Sequence, residues 1–285
     1  MTALYQAQTL QEALAILQDT RAAPLAGGTD LIPQLRAGTI QPPALLDISP
    51  IPDLAFIQED PSYLKIGACT TLTEILHSSL LEVQAPSLLQ ACKRIGSVQT
   101  RNRGTLGGNV GNASPAGDTL PPLLIHQAQV ALLSAQGERL IDLNDFLMAP
   151  GKTARKPGEL IHYLRLEKLP RGMKSTYLKV GNRRGMAVSV ASAALALIPP
   201  EKAGSPARDA RLALGAVAPT VLPVPSAESM LTARPFRKET IQAAAREAAE
   251  RCAPIDDLRA SRTYRKKIVE NLVLRAFSNL MDTPQ

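Results

Sequence analysis

Gly104-Thr105-Leu106-Gly107-Gly108-Asn109, with the earlier Ala26-Gly27-Gly28-Thr29-Asp30, is the stretch on which the reading of this chain turns. Residues without Cβ let a backbone approach a ligand closely and adopt positive φ, and successive peptide N–H groups can then converge on one anion. Each stretch reads as a phosphate cradle, and two loops on one pyrophosphate explain why the chain has both. For Gly27-Gly28 an ordinary tight turn between strand and helix stays open as the plainer account. The second stretch is harder to reduce to a turn. Gly104, Gly107, Gly108 and Gly111 crowd together there with Asn102, Asn109 and Asn112, residues that also tolerate unusual backbone angles.

Neither stretch fits the familiar nucleotide signatures. The second lacks G-x-G-x-x-G spacing and no acidic residue follows at the distance of a ribose contact, which disfavours a Rossmann fold. Gly151-Lys152-Thr153 resembles the end of a P-loop, but Phe146 stands where the upstream glycine belongs, and the match reads as chance.

Outward from these stretches the chain alternates helical and extended patterns. Thr9-Leu10-Gln11-Glu12 is a capping-box pattern followed by Leu10, Ala13, Leu14 and Leu17 at helical spacing, and Thr71-Leu72-Thr73-Glu74 offers a second box. Strands are expected at 45–48, 63–68, 130–133, 140–143 and 160–166, with a helix over 88–95 leading into the second glycine stretch. The segment around Pro50 and Pro52 separates a small lobe, 1–53, from a larger one, 54–170. Pro170-Arg171-Gly172 marks a boundary. Beyond it, 171–285 reads as strands at 175–180, 187–197 and 211–217, then helices over 238–251 and 260–280. The alanines of the middle strand suit a helix as well. The fold class is α+β, with a sheet backed by helices as the last unit.

Composition narrows the function. With 285 residues, 45% hydrophobic and 20% charged, the chain can bury a core of roughly two domains. The net charge of +7 invites a nucleic-acid reading, but aromatics are only 3% and Trp is absent, so no stacking platform accompanies the charge. Cys69, Cys92 and Cys252 are widely spaced, which excludes a zinc or iron–sulfur site built on a short motif and suits a reducing, cytoplasmic compartment. The first residues lack the pattern of a secretory signal, and the apolar run 187–198 is too short to span a bilayer. His77, His126 and His162 are scattered without a partner Ser or Cys for a hydrolytic triad.

Asp118 follows the second glycine stretch closely. A carboxylate repels phosphate but accepts from the hydroxyls of a polyol; Asp118 or Thr119 could equally cap a helix. Lys179 belongs to the basic string Lys174, Lys179, Arg183 and Arg184, which reads either as a solvated face or as a cation beside a ligand that gains negative charge on reduction.

Ile95 to Asp118 and Leu25-Ala-Gly-Gly-Thr-Asp-Leu31, with Lys179 to Val190 and Asp257 to Lys267, resemble the FAD-binding medium subunit of the molybdenum hydroxylases, the family of xanthine dehydrogenase and aerobic carbon monoxide dehydrogenase. The resemblance spans nearly the whole chain. It implies a two-subdomain FAD-binding domain of the vanillyl-alcohol oxidase (PCMH) type over 1–170, followed by a C-terminal flavoprotein domain. It further implies that Pro24, Leu25, Ala26, Gly27, Gly28, Thr29, Asp30 and Leu31, with Thr105, Leu106, Gly107, Gly108 and Asn109, hold the FAD pyrophosphate and its surroundings. Asp118 meets a ribityl hydroxyl, Ile95 and Ile161 lie against the flavin, and Lys179 sits near its polar edge, where a cation favours the reduced anion. FAD attachment is expected to be non-covalent, since neither glycine stretch contains His or Cys. Molybdopterin and [2Fe-2S] clusters are expected only in a large and a small partner subunit, with electrons leaving to NAD⁺, oxygen, a quinone or another acceptor. Two departures are visible: Gly185-Met186 stands where many members carry an acidic residue, and the cysteine-bearing insertion of the benzoyl-CoA reductase branch is absent. A free-standing FAD oxidase or reductase acting on its own substrate, and a flavin-free docking subunit, are the competing readings.

Overall fold

The computed structural model describes residues 2–183 and 185–282. The chain divides into two compact units, one of 1–78, 96–113 and 127–167, the other of 79–95, 114–126 and 168–285.

The first unit holds two larger sheets and a small hairpin. A three-stranded parallel sheet has the order Ala3–Gln6, Ala44–Asp47, Ala23–Leu25. It is covered by the helix Leu10–Asp19, whose N-cap Thr9 accepts from the Glu12 N–H while Glu12 returns a carboxylate to the Gln8 N–H. Leu17 and Ala13 of that helix share one buried cluster with Leu46, Ile48 and Leu54. The opening strand Ala3–Gln6 escaped the sequence reading because all four of its residues are exposed, so no apolar pattern marks it.

The second sheet is antiparallel, in the order Ile57–Glu59, Tyr63–Gly67, Leu160–Glu167, Gln129–Ser134, Gly137–Asp142. Its centre is Leu160–Glu167, where a bulge between Ile161 and Tyr163 re-aims the side chains. The predicted Thr71 capping box is formed on both sides, with Thr71 Oγ1 accepting from the Glu74 N–H and Glu74 accepting from the Thr71 N–H. Glu159 holds the sheet to the following loop. Arg139 donates to it twice, at 2.6 and 2.9 Å, and the Lys156 N–H donates at 2.6 Å. Burial pushes the Glu159 carboxyl up, but these donors outweigh it and hold the group below the usual range. Gly151-Lys152-Thr153, the P-loop look-alike, belongs to the two-stranded hairpin of Leu147–Ala149 and Lys152–Thr153, with Gly151 in the left-handed region at φ 69°.

The other unit is a four-stranded antiparallel sheet in the order Lys174–Gly181, Ser189–Ile198, Asp209–Gly215, Leu222–Pro223, with helices on both faces. The ambiguous alanine run is the strand Ser189–Ile198, and all of its positions are buried. Ala191, Ala193, Leu195 and Leu197 face a core made with the helices Pro225–Ala233, Lys238–Arg251 and Arg262–Asp282. Ala194 and Ala196 face Ala91 and Ile125 of the helices Pro86–Arg94 and Leu120–Ile125. Small side chains on both faces let helices approach the sheet from either side. That double burial removes the polar alternation by which a half-buried strand is recognised.

Candidate cofactor site

In the first unit the chain leaves the strand Ala23–Leu25 and turns through Ala26–Asp30 into the short helix Leu31–Arg36. Gly28 has φ +71°, a conformation that L side chains rarely adopt. Gly27 answers to a different constraint: a Cβ there would lie 1.8 Å from the Arg103 carbonyl oxygen. The two glycine stretches are therefore packed on one another, and the Thr29 hydroxyl faces Gly104 at 3.4 Å from where its Cβ would be. Among the described residues, the N–H groups of Gly27, Gly28, Thr29 and Asp30 donate to no protein acceptor. Four successive amides without a protein acceptor thus lie beside a positive φ, in a turn between strand and helix.

The second stretch is built differently from the expected loop. Thr105 caps a helix, Leu106–Gly111, which follows the helix Val98–Arg103. Its amides serve the protein. Leu106 N–H donates to Thr70 O at 3.0 Å, Gly107 N–H to Ala68 O at 2.9 Å, Gly108 N–H to Thr105 Oγ1 at 3.0 Å and Asn109 N–H to Thr105 O at 3.0 Å. None of its glycines has positive φ. Gly107 is needed because a Cβ would meet Ala68 atoms at 2.6–2.7 Å, whereas a Cβ on exposed Gly108 would crowd only the Thr105 hydroxyl, at 2.9 Å. The cluster of glycines thus reflects helix-to-strand packing more than converging N–H groups. Ile161, nearly buried, lies against the same helix, its Cδ1 3.3 Å from a Cβ built on Gly111.

Ile95, Asp118 and Lys179 belong to the other unit. Ile95 is the half-buried C-cap of the helix Pro86–Arg94. Asp118 is buried, and its carboxylate accepts from Tyr177 Oη at 2.6 Å, from Lys179 Nζ at 2.6 Å and from the Ser189 hydroxyl. Lys179 also donates to Arg94 O and Ala187 O, at 3.1 and 3.0 Å, so its three donor positions are engaged and its charge is matched inside the unit. Burial and then the Asp118 carboxylate raise the Tyr177 phenol well above its ordinary range. The capping alternative for Asp118 is not what the structure contains. Thr119 is the N-cap of Leu120–Ile125, without a side-chain cap bond, and Asp118 turns to the sheet instead. Tyr177 and Ser189 were missed in the sequence. The strand period offered a signal for Tyr177, which shares a face with Lys179 two residues on. Of the basic string, Arg183 donates to Met186 O and Arg184 lies outside the described residues.

Comparison with known proteins matches this arrangement to one family. Residues 1–168 match the FAD binding domain in molybdopterin dehydrogenase, and 176–280 match the CO dehydrogenase flavoprotein C-terminal domain. The chain belongs to the molybdopterin dehydrogenase flavoprotein family. It is 32% identical over 276 residues to the glyceraldehyde dehydrogenase medium chain of Sulfolobus acidocaldarius, covering 96% of each chain. It is also 32% identical to the carbon monoxide dehydrogenase medium chain of Hydrogenophaga pseudoflava, covering 95% of this chain and 94% of that one. Among solved structures, carbon monoxide dehydrogenase from the latter organism superimposes with a TM-score of 0.91 at 31% identity, over 97% of this chain and 96% of that one. Reconstituted CO dehydrogenase from Oligotropha carboxidovorans gives 0.92 at 28% identity, over 98% and 96%. As a member of this flavoprotein family the chain is an oxidoreductase component with an FAD-binding domain, and the α+β fold expected from the resemblance is the one observed. Among the described residues no helix is long and apolar enough to cross a membrane.

Proposed function

We propose that this chain is the FAD-carrying electron-transfer subunit of a molybdenum-containing dehydrogenase, taking electrons from the [2Fe-2S] clusters of a small partner subunit and passing them to NAD⁺ or another acceptor. The molybdopterin centre that oxidises substrate would sit in a large partner subunit. The observation that carries the reading is the run of uncommitted N–H groups from Gly27 to Asp30 around the positive φ of Gly28, in a chain of this family.

Pro24 to Leu31 would hold the FAD pyrophosphate with Thr105 to Asn109 in its neighbourhood, the first segment being held in shape by the packing of Gly27 on the Arg103 carbonyl. Ile161 and Ile95 are assigned to the flavin surroundings. Asp118 is assigned to a ribityl hydroxyl, for which Oδ2, with one donor against two on Oδ1, retains acceptor capacity. Lys179 would act as a fixed charge, because its donors are engaged. FAD, when bound, supplies a carrier able to hold one or two electrons. Residues 1–170 form the cofactor domain in this reading and 171–285 the C-terminal domain. The buried thiols of Cys69, Cys92 and Cys252, which form no disulfide among the described residues, support a reducing, cytoplasmic setting.

The absorption spectrum of the purified chain before and after addition of FAD tests the cofactor. Flavin bands near one per chain are expected, and their absence after FAD addition overturns the assignment. Substrate-dependent reduction only when the partner chains are present is expected for a relay. Turnover by the isolated chain would instead establish a free-standing oxidase or reductase.

A further inference from the structure

Arg265 lies in the first turn of the helix Arg262–Asp282 and is buried, although the helix dipole opposes a cation at that end. Its Nε finds no acceptor among the described residues. A buried charge, incompletely paired and at the wrong end of a helix, is a poor stabiliser beside an apolar side chain of the same volume. What sets Arg265 apart is where its other nitrogens go. Nη2 donates to Asp257 Oδ1 at 2.7 Å, and that carboxylate is itself fixed by the Arg259 and Ala260 N–H groups. Nη1 donates to two carbonyls, Val190 O at 2.6 Å and Ala216 O at 3.0 Å.

Both carbonyls belong to segments that lead to Asp118. In the sheet, Val180 pairs with Ala191 and Gly181 with Ser189, so a bulge leaves Val190 without a partner across that ladder, and pairing with the next strand begins only at Ser192. Arg265 supplies the donor that the ladder does not. Immediately before Val190, the Ser189 hydroxyl donates to Asp118 Oδ1, and Ala187 O accepts from Lys179 Nζ at 3.0 Å. Ala216 has φ +63°, a conformation that a non-glycine residue holds only where its surroundings enforce it. Its N–H donates to Pro115 O at 2.7 Å, three residues before Asp118. One guanidinium thus braces the strand that presents Ser189 and the loop that presents Asp118.

We propose that Arg265 is a positioning residue for the flavin: anchored on Asp257, it sets through Val190 and Ala216 the placement of the Asp118 carboxylate and the Lys179 ammonium. The proposal rests on the reading of Asp118 and Lys179 as flavin contacts, and in it Arg265 acts at one remove from the cofactor. Arginine is required rather than lysine, because its planar fork reaches two carbonyls from one nitrogen and a carboxylate from another, whereas an ammonium donates from a single centre.

The test uses the full chain loaded with FAD and compares wild type with Arg265→Lys, Ser189→Ala and the double variant. Glu159→Gln, in the other unit, is the control for loss of stability alone. FAD affinity is read by fluorescence titration, the potential of the bound flavin by reductive titration against a reference dye, and folding by melting temperature. Arg265→Lys is expected to weaken FAD binding about tenfold. A loosened Lys179 favours the reduced anion less, so the two-electron potential should fall by about 30 mV, the equivalent of a tenfold change. The double variant should lose little more than either single one, since both act on the same contact, and Glu159→Gln should melt earlier with affinity and potential unchanged. By reciprocity, FAD added to the wild type should slow hydrogen exchange at 189–191 and 216, a readout that does not depend on whether a variant folds. Wild-type affinity and potential in a folded Arg265→Lys protein, additive losses in the double variant, or exchange at 189–191 and 216 indifferent to FAD would each overturn the proposal and leave the cofactor reading standing. A wild-type chain that takes up no FAD would overturn both.

Discussion

Replacing Gly27 by Ala isolates what joins the two glycine stretches. The added Cβ would stand 1.8 Å from the Arg103 oxygen and 2.5 Å from its carbonyl carbon, both backbone atoms that cannot rotate away. Against an ordinary separation of roughly 3.5 Å the deficit is about 1.7 Å, so one segment must move bodily. Overpacking of this kind costs about 1–3 kcal/mol, and more where backbone meets backbone. At roughly 2–4 °C of melting temperature per kcal/mol, a drop of several degrees follows. The displaced segment carries the uncommitted amides of Gly27 to Asp30, so FAD affinity should fall with stability. Gly38→Ala is the control. Its φ is +69° with nothing within 4 Å of the new Cβ, so it should show conformational strain alone, about 1–2 kcal/mol, and no loss of flavin. Differential scanning calorimetry and flavin fluorescence titration on both variants decide the matter. A Gly27→Ala protein with wild-type melting and wild-type flavin affinity would refute the reasoning.

Lys179→Met should destabilise the protein by about 3–5 kcal/mol, because it leaves the Asp118 carboxylate buried without its cation, while the double variant with Asp118→Asn should recover part of that loss in chemical denaturation. Thr105→Ala removes the acceptor for the Gly108 N–H and should cost about 0.5–2 kcal/mol, read in the same assay. The folded Glu159 carboxyl sits below its unfolded value, so the unfolded chain binds the extra proton. Its contribution is present above the ordinary glutamate range and is lost as pH falls through the depressed folded value. The stability gap between wild type and Glu159→Gln, measured against pH, should therefore narrow on acidification below about 4.5; a gap that widens would reverse the sign argument.

Much of the fold was legible because local rules and tertiary structure agree. Thr71 and Glu74 close a capping box in the structure as in the sequence, and the helix expected over 238–251 is Lys238–Arg251. Legibility failed where a residue type serves more than one purpose. Glycine in the 104–111 stretch suggested a loop, yet Leu106–Gly111 is helical, held by the Thr105 cap and by close contact with Ala68. Pattern alone cannot separate a glycine that makes room for a ligand from one that makes room for a neighbouring strand. Only the destination of each N–H does so.

The same distinction reorders the candidate site. In the sequence, Asp118 and Lys179 looked like two independent ligand contacts of opposite charge. In the fold they neutralise one another at 2.6 Å, with Tyr177 and Ser189 completing the carboxylate's coordination. A lysine held in this way cannot chase a ligand's charge by moving, since two carbonyls and a carboxylate fix its ammonium. What it can impose is a constant field, partly offset by Asp118. Such a prearranged field needs no reorganisation when a nearby group changes charge, which is the electrostatic property an electron carrier requires of its surroundings.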